Sequence, residues 1–254
     1  MCSVDIQPTR LQAAEAAAAS FIQHQKATTQ IGVVAFAGFA ELIQPPTTDK
    51  EALQTALRSL LTGTGTAIGS GILESLDAIA ETDKTVAPSA SGVLPERALP
   101  PVRAGAYAPD IIVLLTDGVS DTGPLPLDAA REATARGVQV YTVGFGTPNG
   151  NASASCQSSD PSGLGGSGPS TSSAGGGALP RGIDEPTLKR IAAMTGGAYY
   201  PASSASELQS VFDHLPTHLT TRHETFEVSA AFAAAGALFA TMACALSFAW
   251  HPLP

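Results

Sequence analysis

Apolar residues along this chain recur with two different periods, and the switches between them outline alternating helices and strands. Thr9-Arg10-Leu11-Gln12 has the capping-box form T-x-x-Q and opens a helix, with Leu11, Ala14, Ala18, Phe21 and Ile22 as its apolar stripe. Ile31–Phe36 (IGVVAF) reads as a strand, and after a turn at Gly38, Phe39–Ile43 reads as a short antiparallel edge strand. A second capping box, Thr48-Asp49-Lys50-Glu51, starts a helix with Leu53, Leu57, Leu60 and Leu61 on its apolar face. Ile72, Leu73, Leu76 and Ile79 mark another helix, and Thr82–Ala108 is a Pro/Gly/Ala-rich connection without a period. Ile111–Thr116 (IIVLLT) is continuously apolar, as a strand covered on both faces must be. Leu127–Arg136 reads as a helix and Val138–Val143 as a strand. Asn149–Pro180 is dominated by Ser, Gly and Pro, cannot bury enough to order itself, and is expected to be a flexible loop. Asp184 is a good cap for a helix ending at Gly196-Gly197; Ala198–Pro201 is a last short strand and Glu207–Leu215 a last helix. Such alternation predicts an α/β fold with a doubly wound, mostly parallel sheet.

In open parallel sheets, ligands bind beyond the carboxyl ends of the strands. The apolar strand stops there on an acid, in Asp117-Gly118-Val119-Ser120. Upstream, Gly63-Thr64-Gly65-Thr66-Ala67-Ile68-Gly69-Ser70 is a polar loop opening onto a helix. Taken residue by residue, Asp117 is either a site carboxylate or an acid capping its own turn. Thr66 is either a site hydroxyl or the N-cap of the following helix, two roles that can coexist.

Together, GTGTAIG and LLTDG resemble two of the three metal-site motifs of the von Willebrand factor type A (VWA) domain, a Rossmann-like fold. The element order from Thr9 to about Leu219 agrees with that family. RGIDEPTLKRIAAMTGGAYYPASSASEL also resembles the bacterial membrane-anchored VWA proteins of the aerotolerance (Bat) operon. The resemblance implies a non-enzymatic protein–protein interaction module with no catalytic residues. It also implies a divalent ion, usually Mg²⁺, held by oxygen ligands: here the Thr66 hydroxyl and the Asp117 carboxylate. The family's third motif, Asp-x-Ser-x-Ser on the first, central strand, has no counterpart; Ser3 and Asp5 do not reproduce its spacing. Two ligands with one charge are a poor site for an ion that gives up water reluctantly. Without that strand, Ile31–Phe36 and Ile111–Thr116 are expected to leave unpaired inner edges. A reading frame starting at an internal Met is the simplest expectation. By analogy with Bat-type proteins, the expected partners are a MoxR-type AAA+ ATPase and other VWA proteins.

Hydropathy adds a second expectation. Val228–Trp250 has no charge and no proline; its length of about 23 residues gives a helix of about 34 Å, enough to span a bilayer. The chain thus divides into a VWA-like domain over residues 1–219, carrying the insertion 149–180, a juxtamembrane linker 220–227 and a transmembrane helix 228–250. A bacterial inner-membrane protein follows. Arg222 and His223 ahead of the span favour a cytoplasmic domain, whereas the Bat-like arrangement favours a periplasmic one. Net charge is −9 with no basic stripe, which excludes a nucleic-acid partner. Three scattered cysteines make no disulfide framework or zinc ligand set. The alternative function is a Rossmann-like enzyme binding a nucleotide or phosphate at the same sheet edge. GTGTAIG does not follow a strand, as a dinucleotide loop would, and the chain has no P-loop lysine and no G-x-S-x-G elbow. His214 and His218 share a helical spacing, but Pro216 interrupts it.

Overall fold

The computed structural model describes residues 1, 6–89, 107–146, 182–215 and 242. The chain divides into two units, Met1–Thr220 and Thr221–Pro254. The first contains, in order, α1 (Arg10–His24), β1 (Ile31–Phe36), β2 (Ala40–Thr47), α2 (Lys50–Arg58), α3 (Ile68–Thr82), β3 (Ile111–Thr116), α4 (Pro126–Ala135), β4 (Gln139–Phe145), α5 (Glu185–Thr195), β5 (Tyr199–Ala202) and α6 (Ala205–His214). The expected insertion 149–180 and the span Val228–Trp250 lie outside the described residues, apart from Met242. Among the described residues, no helix is long and apolar enough to cross a membrane.

The described strands form two sheets. β3, β4 and β5 make a parallel sheet in that order, with Ile111 opposite Gln139 and Thr142 opposite Tyr199. β1 and β2 form an antiparallel pair. Residue alternation along β3 decides what each face covers. Ile112 and Leu114 point into a core with α3, α4 and α5, built on Ile72, Leu76, Ala130, Val140, Leu188 and Ile191. Ile111, Val113 and Leu115 point the other way, toward α1 and α6, where Ala17, Val143, Phe145 and Leu208 are buried. A third cluster, Ile22, Leu53 and Leu57, ties α2 to α1 beside β1.

Several local expectations shift in the structure. Thr9 caps α1, accepting from the Gln12 N–H at 3.1 Å, but Ala13 and Ala17 are buried where Leu11 and Phe21 are only half-buried. Small residues let α1 approach the sheet closely, so the large ones move to its flank. Asp49, not Thr48, caps α2, accepting from the N–H groups of Glu51 and Ala52. That helix ends at Arg58, which leaves Leu61 outside its apolar face and 91% exposed. β2 continues to Thr47, past Pro45 and Pro46; among the described strands only β1 pairs with it, so none on its other edge needs their missing N–H groups.

Candidate functional site

At the carboxyl end of β3, two loops meet through Thr66. Asp121 is the main clamp: its Oδ1 accepts from the Thr66 N–H at 2.6 Å. The Thr66 carbonyl in turn accepts from the Asp121 N–H at 3.0 Å and from the Ser120 hydroxyl at 3.2 Å. The start of α3 comes close to the segment after this clamp. Gly69 in its first turn lies so near the Pro124 carbonyl that a Cβ there would collide with it. A third loop joins from β1, where the Ala37 carbonyl accepts from the Ala67 N–H at 2.6 Å.

This arrangement corrects the reading of Thr66 as a helix cap. Ala67 occupies the N-cap position of α3 and has no side chain to offer. The Ser120 hydroxyl serves instead, accepting from the Ile68 N–H at 3.3 Å. Thr66 is left half-buried, with its hydroxyl beside Gly118. The Thr66 hydroxyl therefore lies beside the turn that carries Asp117. Ser120 and Asp121 join them, an adjacent Ser-Asp pair that gave no sign in the sequence of a partner 55 residues upstream of Asp121.

Asp117 does not cap its own turn. Thr116 does that, its hydroxyl oxygen accepting from the Gly118 N–H at 3.3 Å. The Asp117 carboxylate is paired with the Arg10 guanidinium at 3.2 Å and with the amino terminus of Met1. Arg10 is itself buried, at the first residue of α1, and its guanidinium rests against Gly146 at the end of β4. Thus α1 delivers a cation to the place where the resemblance puts a metal.

The described residues do not fit Mg²⁺. The Ser120 and Thr116 hydroxyls are engaged with backbone groups, the Asp117 carboxylate is held by positive charge, and the nearby Asp121 carboxylate is spent on a backbone N–H. Among the described residues there is no group of three or more His, Cys, Asp or Glu side chains able to hold a metal. His214 donates from Nδ1 to the Ser210 carbonyl of its own helix, at 2.7 Å, as a helix-end residue does.

Three of the exposed large apolar side chains among the described residues rim this end of the molecule. Phe39 and Leu125 are 68% exposed, and Leu61 is 91% exposed. Each sits on one of the loops that converge on Thr66. Water-facing side chains of this size cost solubility, so their gathering on one rim marks a surface that another molecule can cover.

Comparison with known proteins agrees with this geometry. The sequence profile of the von Willebrand factor type A domain matches residues 1–119. A UPF0353 protein of Nocardia farcinica is 34% identical over 224 residues, covering 85% of this chain and 58% of the relative. One of Mycolicibacterium paratuberculosis is 31% identical over 250 residues, covering 96% of this chain and 64% of the relative. The chain thus spans under two thirds of the length of these relatives. In fold, it is similar to BatB from Bacteroides thetaiotaomicron, with a TM-score of 0.55 and 21% identity over 84% of this chain and 90% of that one. An aerotolerance-related membrane protein from Bacteroides fragilis gives a TM-score of 0.55 and 22% identity at the same coverage. Motif loops, parallel sheet and profile agree: residues 1–119 match the von Willebrand factor type A domain, and the chain shares its fold.

Proposed function

We propose that this chain is a membrane-tethered, non-enzymatic protein–protein interaction module that docks its partner on the loops at the carboxyl edge of the sheet. The observation that carries the reading is the convergence of three loops on Thr66, rimmed by exposed Phe39, Leu61 and Leu125. Apolar anchors surrounding a polar, hydrogen-bonded centre are the usual build of a protein-docking surface. The Bacteroides fragilis relative, described as a membrane protein, supports a membrane setting, as does the uncharged stretch Val228–Trp250. By analogy with Bat-type proteins, the partner is a MoxR-type AAA+ ATPase or a second VWA protein, at a bacterial inner membrane. Binding of such an ATPase to the full chain in detergent tests this. Replacing Phe39, Leu61 and Leu125 together by Ser should weaken binding by about tenfold or more, since buried apolar anchors dominate such interfaces. Unchanged affinity in a variant that melts normally would remove the rim from the interface.

The metal part of the reading is conditional on a strand bearing Asp-x-Ser-x-Ser ahead of Met1. In such an extended form, Thr66 and Asp117 would join that strand's side chains around Mg²⁺, a hard ion suited to hydroxyl and carboxylate oxygens. The chain starting at Met1 should bind Mg²⁺ negligibly at millimolar concentration. Calorimetry of both forms checks this: the extended form should bind, and Asp117→Ala should abolish its binding. Tight binding by the shorter form would show that Arg10 yields Asp117 to the ion.

A further inference from the structure

Leu61 is the most exposed of the three apolar anchors, and it is attached differently from the other two. Phe39 sits in the turn between β1 and β2, which the Ala37 N–H closes by donating to the Phe39 carbonyl at 2.8 Å. That turn is bonded in its turn to Ala67. Leu125 is the N-cap of α4, its carbonyl accepting from the N–H groups of Asp128 and Ala129 at 3.0 and 3.2 Å. Leu61, by contrast, opens the stretch 61–65, which is exposed throughout. Among the described residues no hydrogen bond reaches this stretch. It rests on Ala37 and Gly38 through the close approach of Gly63 and Gly65.

The stretch is fastened at its far end, and there the two sides of Thr66 differ. The Thr66 carbonyl has three donors, the N–H groups of Asp121 and Thr122 and the Ser120 hydroxyl. They fix the peptide after Thr66, on the side of α3. The Thr66 N–H belongs to the peptide before it, on the side of Leu61, and is held by Oδ1 of Asp121. An ionised acceptor makes such a bond about twice as strong as a neutral one. A loop ordered before docking has less freedom to lose when a partner covers it.

Resting on the docking function proposed above, we infer that Asp121 is a positioning residue of the docking face. Its carboxylate sets where Leu61 stands relative to Leu125, and so presents the anchors in one arrangement. What the position requires is an acceptor for the Thr66 N–H, which an amide oxygen also supplies. No atom of the Arg10–Asp117 pair takes part.

Pairs of spin labels on the full chain in detergent test this, with Cys2, Cys156 and Cys244 replaced by Ser. Leu61→Cys with Leu125→Cys reports one anchor distance, and Phe39→Cys with Leu125→Cys the other. Asp121→Ala should abolish the narrow 61–125 distribution and leave 39–125 narrow, because the Ala37–Ala67 bond survives. Asp121→Asn should keep both narrow. In the unlabelled chain, Asp121→Ala should weaken binding of a MoxR-type ATPase about fivefold, and Asp121→Asn should restore it. A 61–125 distribution unchanged by Asp121→Ala, or already broad in the parent, would overturn the inference. So would broadening of both distances or loss of the folded domain, which would make Asp121 a general structural residue. Unchanged affinity with a broadened 61–125 distance would remove the positioning role from docking. If the parent binds no ATPase, that partner is wrong, while the label distances still decide what Asp121 positions.

Discussion

Asp110 shows what burial costs a single carboxylate. It precedes β3, one of its oxygens is buried without a hydrogen-bond partner, and the Asp83 carboxylate lies close by. Burial first, then the charge of Asp83 and a hydrogen bond to it, push the Asp110 pKa from 3.8 up to about 6. The sign of the effect on stability follows from linkage. Below 3.8 the group is protonated in the folded and the unfolded chain. Between 3.8 and about 6 the unfolded chain has released its proton and the folded chain still holds it. Stability from this group is therefore full at the acid end and is lost as pH rises through about 6. Asp110→Asn keeps the shape, cannot ionise, and offers an N–H to Asp83. Since Asp110 is only half-buried, solvent screens much of the penalty. The gain at pH 7 should be on the order of 1 kcal/mol. Urea denaturation at pH 4.5 and pH 7 checks this: the substitution should stabilise more at pH 7 than at pH 4.5. An equal effect at both would mean that the proton on Asp110 is not what matters.

At the scale of elements, the strands β1 and β3 and the helix α5 were legible in the sequence because each is defined by its own neighbours. IGVVAF and IIVLLT are apolar runs bounded by turn residues, and Asp184 and Gly196 punctuate α5 at either end, Gly196 in the left-handed conformation at φ 78°. What was not legible depends on partners distant in sequence. Leu60 and Leu61 continue the periodicity of α2, but the chain must turn toward the GTGT loop, so the helix stops at Arg58. Ser120 displaces Thr66 as the cap of α3 through a contact 52 residues away, and Arg10 reaches Asp117 across 107 residues. A capping pattern read locally cannot see such pairings. The Ser/Gly/Pro-rich stretch 149–180 poses the opposite case, where composition alone makes the claim. It falls between β4, which ends on the buried Phe145, and the Asp184 cap of α5. Both elements are held by their own cores, so the stretch between them should contribute nothing to stability. Replacing 149–180 by a short Gly/Ser linker that still lets α5 cross back to the sheet should leave the melting temperature within about 2 °C. A large fall would mean that this stretch packs on the domain.

For the whole molecule, the proposed function raises the question of how the domain would be held at a membrane. The domain's own helices do not answer it: α1 and α3, at 15 residues each, are too short to span a bilayer, and both bury residues in the domain cores. The uncharged run Val228–Trp250 follows the domain after a polar boundary, Arg222–Glu227, and its length suits the hydrocarbon thickness. Its many alanines make it only moderately apolar, so under the proposed tethering its length and absence of charge, rather than bulky side chains, would supply the anchoring. Trp250 at its end suits the interfacial layer, where an indole keeps its N–H near water. A single span of this kind is retained by the hydrophobic effect alone, whereas a surface-bound helix depends on contacts that alkali disrupts. The full chain should therefore stay with membranes through an alkaline carbonate wash and leave only with detergent. Removing everything after Thr225 should shift it to the soluble or aggregated fraction, and reporter fusions on either side of the run should report opposite faces of the membrane. If the intact chain washes off with carbonate, Val228–Trp250 is a core or surface helix, and the module reaches its membrane setting through a partner instead.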